Sequence, residues 1–139
     1  MVNVNLNQKK LREEKMQTIK SLIVDDSSLV RERLAEKLSA FDNVQVIASV
    51  GDAADAYAVL SIEHPDMVVL DIQLPDGNGI DILKRIKQQH KDTIVVMLTN
   101  HAYPAFREKC LEAGADYFFD KSTEFEKIST VFENLEFVN

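Results

Sequence analysis

Three uninterrupted apolar runs each stop at a polar residue: Leu22-Ile23-Val24 at Asp25-Asp26, Met67-Val68-Val69-Leu70 at Asp71, and Ile94-Val95-Val96-Met97-Leu98 at Thr99. Strict alternation would mark a strand with one wet face. A continuous run marks a strand covered on both faces, as in parallel sheets sandwiched between helices. Val44 to Val50 is less uniform and Tyr117-Phe118-Phe119 is short, as edge strands are. Five strands are expected.

The intervening segments carry helical spacing. Leu29, Val30, Leu34, Leu38 and Phe41 form one stripe, Ala54 to Ile62 a second segment, and Ile80, Leu83 and Ile86 a third. Pro104 suits the first turn of a fourth helix ending near Gly114, a C′ residue, and Phe125, Ile128 and Phe132 mark a fifth. The alternation is (βα)5. Right-handed crossovers turn it into an α/β fold with a doubly wound, parallel five-stranded sheet.

The 139 residues suit one domain: a polar arm over 1–18, rich in Asn, Lys, Glu and Gln, then a folded unit over 19–139. A net charge of −7 argues against direct nucleic-acid binding. Cys110, the single cysteine, excludes an internal disulfide or a cysteine-based zinc cluster and suits a reducing compartment. No run approaches the ~20 apolar residues of a membrane span, so no membrane partner is expected and the cytoplasm is the expected location.

In a parallel sheet the C-terminal strand ends share one edge, where ligands bind in open α/β folds. Asp25, Asp26 and Asp71 would meet there. Three carboxylates in one cleft are unfavourable unless protons or a cation compensate. A hard dication, Mg2+ or Mn2+, using carboxylates, waters and phosphate oxygens, answers that need. An Asp after a strand can instead be a helix cap, an alternative that applies to each position separately. A metal-bound carboxylate can attack phosphorus to give an acyl phosphate, provided positive charge neutralises the transferring group. Lys121, just past the fifth strand, can supply that charge, and Thr99 can donate a hydroxyl hydrogen bond. Taken singly, a Lys is more often solvated and a Thr often closes a turn.

In order and spacing, Asp25-Asp26, Asp71, Thr99 and Lys121 resemble the receiver domains of two-component response regulators over about residues 19 to 136. The loop Asp71-Ile72-Gln73-Leu74-Pro75-Asp76-Gly77-Asn78-Gly79 and the approach Glu112-Ala113-Gly114-Ala115-Asp116-Tyr117 are also similar to that family. The resemblance implies a flavodoxin-like strand order, 2-1-3-4-5, and makes Asp71 the phosphoacceptor. Asp26 becomes a direct metal ligand, Asp25 a ligand acting mainly through water, and the backbone carbonyl of Gln73 the remaining protein ligand. Thr99 and Lys121 would sense the phosphoryl group, and Phe118 would be the switch aromatic, with ordinary core packing its plainer alternative. Two positions depart from the family pattern. Ser122 follows Lys121 where many members have Pro, so the cis peptide often formed there is not expected. Asn100 follows Thr99 where a small residue is usual.

The function this implies is a signalling switch rather than an enzyme, charged at Asp71 by a sensor histidine kinase or phosphotransfer protein. So few residues follow the fifth helix that a separate output protein is expected. The fourth helix, fifth strand and fifth helix, near Tyr103, Phe106 and Phe118, would present the output surface, on a monomer or a weak homodimer through that face. Gln73, Asn100 and His101 would cover the cleft and limit water attack on the acyl phosphate. His64 and His90 are expected at the surface. An aspartyl-nucleophile phosphohydrolase is an alternative, but it needs an acid/base carboxylate two residues after the nucleophile, where this chain has Gln73. A receiver-like binding module that works without phosphorylation is the other.

Overall fold

In the computed structural model, which describes residues 18–136, the apolar runs become the centre of one sheet. Strands β1 (Ile19–Val24), β2 (Val44–Val50), β3 (Met67–Leu70), β4 (Ile94–Thr99) and β5 (Tyr117–Asp120) stand in the order 2-1-3-4-5. Every neighbouring pair is parallel. Helices α1 (Ser28–Leu38), α2 (Ala53–Ile62), α3 (Gly79–Gln89), α4 (Pro104–Glu112) and α5 (Ile128–Glu136) alternate with the strands. This is the doubly wound fold expected of the sequence. The polar arm, residues 1–17 of the expected 1–18, lies outside the described residues.

The continuous runs split between two cores because successive side chains leave a strand on opposite faces. Leu22, Val24, Val68, Leu70, Val95 and Met97 pack with Leu60 of α2, Ile82, Leu83 and Ile86 of α3, and Cys110 of α4. Ile23, Met67, Val69, Val96 and Leu98 pack on the other side with Leu34 and Leu38 of α1 and Ile128, Val131 and Phe132 of α5. From Leu22, Met67 and Val95 onward neither face of β1, β3 and β4 is wet, so nothing there needs to be polar until the strands end. Burial also pushes the Cys110 thiol up to about 11, which leaves it protonated and unreactive.

The helix signals have local causes. Pro104 sits in the first turn of α4, and Gly114 just past its end has φ 103°, a conformation that favours glycine. Ser27, Asp52 and Asn78 cap α1, α2 and α3, each side chain accepting a backbone N–H of the first turn. Two expectations need correction. Leu29 is 63% exposed, because five residues turn it about 140° away from buried Leu34. Phe41 lies beyond the end of α1 and meets Phe132 of α5 at a ring-centroid distance of 5.8 Å. A short antiparallel ladder, Gln73–Leu74 with Gly77–Asn78, also folds the β3–α3 loop, and a 3-10 turn at Phe125–Lys127 leads into α5.

Candidate functional site

At the C-terminal edge of the sheet the chain leaves β1 and β3 with its backbone still in the ladder. The N–H of Asp25 donates to the Val50 carbonyl at 3.0 Å, and that of Asp71 to the Val24 carbonyl at 3.0 Å. Both carboxylates are therefore fixed by strand pairing before any loop begins. They are 2% and 6% exposed, while Asp26 faces solvent. One carboxylate oxygen from each of Asp25, Asp26 and Asp71 lies within 4.8 Å of the others. The helix-cap alternative does not account for them, since Ser27 and Asn78 do that work.

Lys121 follows β5, its N–H held by the Thr99 carbonyl at 2.9 Å. Its Nζ donates to Asp25 Oδ2 at 2.6 Å and to Asp71 Oδ2 at 2.9 Å, with only 8% of the side chain exposed. The second oxygen of each acid takes a backbone N–H: Ser27 to Asp25 Oδ1 at 2.9 Å, Ile72 to Asp71 Oδ1 at 2.7 Å. Burial is the largest influence on Lys121 and lowers its pKa, but the hydrogen bonds and charges of Asp25 and Asp71 together outweigh it, and the pKa is raised. The ammonium is secure at neutral pH.

Asp25 shows the opposite balance. Burial raises its pKa, the neighbouring Asp71 charge adds to this, and the bonds from Lys121 and Ser27 do not fully offset them. Three acidic groups face one ammonium, an excess of two negative charges. That deficit fits a hard dication. Asp25, Asp26 and Asp71 are the side chains that could hold it, and Mg2+ is the ion their all-oxygen donor set suits.

Thr99 ends β4 fully buried, and its Oγ1 accepts the N–H of His101 at 3.0 Å. Phe118 is 4% exposed and packs in the core, with the Arg107 guanidinium 5.5 Å from its ring centroid. Both expected switch residues are thus already turned inward. Tyr103 is exposed, and a chain of rings runs from His101 through Tyr103 to Phe106, at 6.1 and 5.9 Å. Gln73 and Asn100 are exposed and His101 is half-buried.

Several supporting residues escaped the sequence reading. A Cβ on Gly79 would stand 1.9 Å from the Asp71 carbonyl oxygen, so only glycine lets α3 start this close to the acid. Asp76, in the same loop, accepts the N–H groups of Ala53 and Ala54 at 2.6 and 2.9 Å and ties that loop to the start of α2. Those bonds, led by Ala53, hold its carboxyl below the usual range. Arg31 donates to the Asp25 carbonyl at 2.6 Å from α1. After Lys121, Asp120 Oδ1 accepts both the N–H and the hydroxyl of Ser122, at 2.9 and 2.6 Å, so this turn is closed by a side chain. Every described peptide bond is trans. A glycine in a long motif, or a loop acid among 23, carries no mark of its partner in the sequence.

Known proteins resemble this chain in sequence and in fold. A protein-glutamate methylesterase/protein-glutamine glutaminase of Clostridium acetobutylicum is 32% identical over 108 residues, 76% of this chain and 31% of that protein. The DNA-binding transcriptional activator DevR/DosR of Mycobacterium tuberculosis is 32% identical over 74% of this chain and 48% of its own length. The chain thus spans about a third to a half of these relatives. Among solved structures, a LuxR-family two-component response regulator from Aurantimonas sp. superposes with a TM-score of 0.77 at 30% identity, covering 86% of each chain. The response regulator domain of Thermotoga maritima CheB gives 0.73 at 27% identity, over 86% of this chain and 94% of that one. Residues 21–133 match the response regulator receiver domain, and the chain belongs to that family of two-component signalling proteins.

Proposed function

We propose that Asp71 accepts a phosphoryl group with the aid of a dication held by Asp25, Asp26, Asp71 and the backbone carbonyl of Gln73. The observation that carries this is the pair of salt bridges from Lys121 to Asp25 and Asp71 inside a cluster with an excess of negative charge. An Asp71 oxygen attacks phosphorus, the bond from phosphorus to the donor group breaks, and the donor leaves with its electron pair. When bound, Mg2+ offsets the charge of the acids and of the phosphoryl oxygens. Lys121 then redirects one of its hydrogen bonds from the carboxylates to a phosphoryl oxygen and keeps its proton. Thr99 accepts from His101 and so keeps its own hydroxyl proton to donate to another.

The donor in this reading is a histidine kinase or a phosphotransfer protein in the cytoplasm, and the readout is a separate target meeting α4, β5 and α5. With Thr99 and Phe118 already inward, the phosphoryl group acts by holding that arrangement, a shift of population rather than a new fold. Gln73, Asn100 and His101 limit water at the cleft mouth. A hydrolase reading lacks its base, because Gln73 occupies the required position. Labelling by acetyl phosphate tests the proposal: wild type takes up label only with Mg2+, and His101→Ala loses it roughly two- to fivefold faster by admitting water. Equal labelling with and without metal would overturn it, and equal decay would remove His101 from the gate.

A further inference from the structure

Two of the three histidines meet at the opposite edge of the sheet. His64 lies between α2 and β3, and His90 ends α3 ahead of β4, so both stand where strands begin, a sheet's length from Asp71. Their Nδ1 atoms are 3.2 Å apart, with ring centroids at 4.2 Å and planes at 63°. The other nitrogen of His64, Nε2, is 3.3 Å from Asp92 Oδ1. A carboxylate there favours the His64 tautomer with its proton on Nε2. In that tautomer Nδ1 is a lone-pair donor on the side facing His90.

We propose that this pair is a site for a transition-metal dication, with Zn2+ the ion its donors suit best. Two imidazole nitrogens about 2.0–2.1 Å from a tetrahedral zinc lie about 3.4 Å apart, with ring centroids about 5 Å apart. The nitrogen separation therefore fits, and the two rings, with centroids at 4.2 Å, must rotate outward to aim both lone pairs at one ion. Asp92 takes the part of the outer carboxylate that orients a metal-bound histidine and raises its basicity. The contact between the rings is exposed, so water can fill the remaining positions. Imidazoles prefer borderline ions such as Zn2+, whereas the all-oxygen cluster at the other edge prefers Mg2+. The two sites therefore sort ions by donor type. A bound ion would clip the end of α2 to the end of α3.

A plain N–H···N bond between neutral imidazoles has the same length, and metal titration separates the two. Calorimetry of the full chain with Zn2+, in saturating Mg2+, should show one micromolar site. His64→Ala and His90→Ala should each weaken it more than tenfold, and Asp92→Asn about tenfold. Zn2+ should also shift the Nδ1 resonances of both rings, while acetyl phosphate labelling of each variant matches wild type. Absence of Zn2+ binding, or the same isotherm for wild type and His64→Ala, would overturn the proposal.

Discussion

The two edges of the sheet carry similar charged groups and handle them in opposite ways. At the C-terminal edge, Asp25, Asp71 and Lys121 are almost fully buried and bonded to one another. At the N-terminal edge, Asp92 is 85% exposed beside His64, and Asp116, which meets Lys87 at 2.9 Å, is 38% exposed. Exposed pairs are screened by water and contribute little to stability. Buried charges repel more strongly than solvated ones, so the first edge holds an imbalance that a dication can relieve. Burial, more than residue type, separates a reactive edge from a solvated one.

The strongest way to break this contrast is to remove the buried cation. Lys121→Met should slow phosphorylation by acetyl phosphate about 10- to 100-fold, the worth of one charge-assisted bond in the transition state. A rate within twofold of wild type would show that Lys121 only packs there. Gly79→Ala comes next. Its methyl group must displace the Asp71 carbonyl, so chemical denaturation should show a loss of about 1–3 kcal/mol, with slower labelling. Unchanged stability would mean that the loop yields at no cost.

A smaller effect concerns pH. Asp25 has a raised pKa in the fold, so its ionised form disfavours the metal-free fold above that pKa, and the penalty disappears below the unfolded value of 3.8. A metal ligand must be deprotonated. Mg2+ affinity should therefore begin to fall at a higher pH than an ordinary Asp would allow. Titrations at successively lower pH check this, and affinity that holds until the normal carboxylate range would refute it.

How much of this is legible in the sequence follows the same division. The central strands could be read because two-sided burial forces continuous apolar runs, and Asp25, Asp71 and Thr99 stood out as the points where those runs stop. The start of α4 at Pro104 and the turn at Gly114 were readable from local chemistry, whereas the cap at Ser27 was overshadowed by the acids just before it. Contacts distant in the chain were not. Asp76 reaches across 22 and 23 residues to cap α2, and His64 meets His90 across 26. Nothing local to those residues names the partner. Leu29 misled for a related reason: its apolar character suits the stripe, but its angular position on α1 faces water.

The bond at the centre of the proposed switch joins an oxygen of Asp71 to phosphorus. Treating the protein with acetyl phosphate and Mg2+, reducing it with borohydride and sequencing the peptides by mass spectrometry locates that bond directly, because an acyl phosphate on Asp is reduced to homoserine. The result expected is homoserine at position 71 alone, absent without Mg2+ and absent in Asp71→Asn. Homoserine at position 25 or 26, or an unchanged pattern in Asp71→Asn, would contradict it.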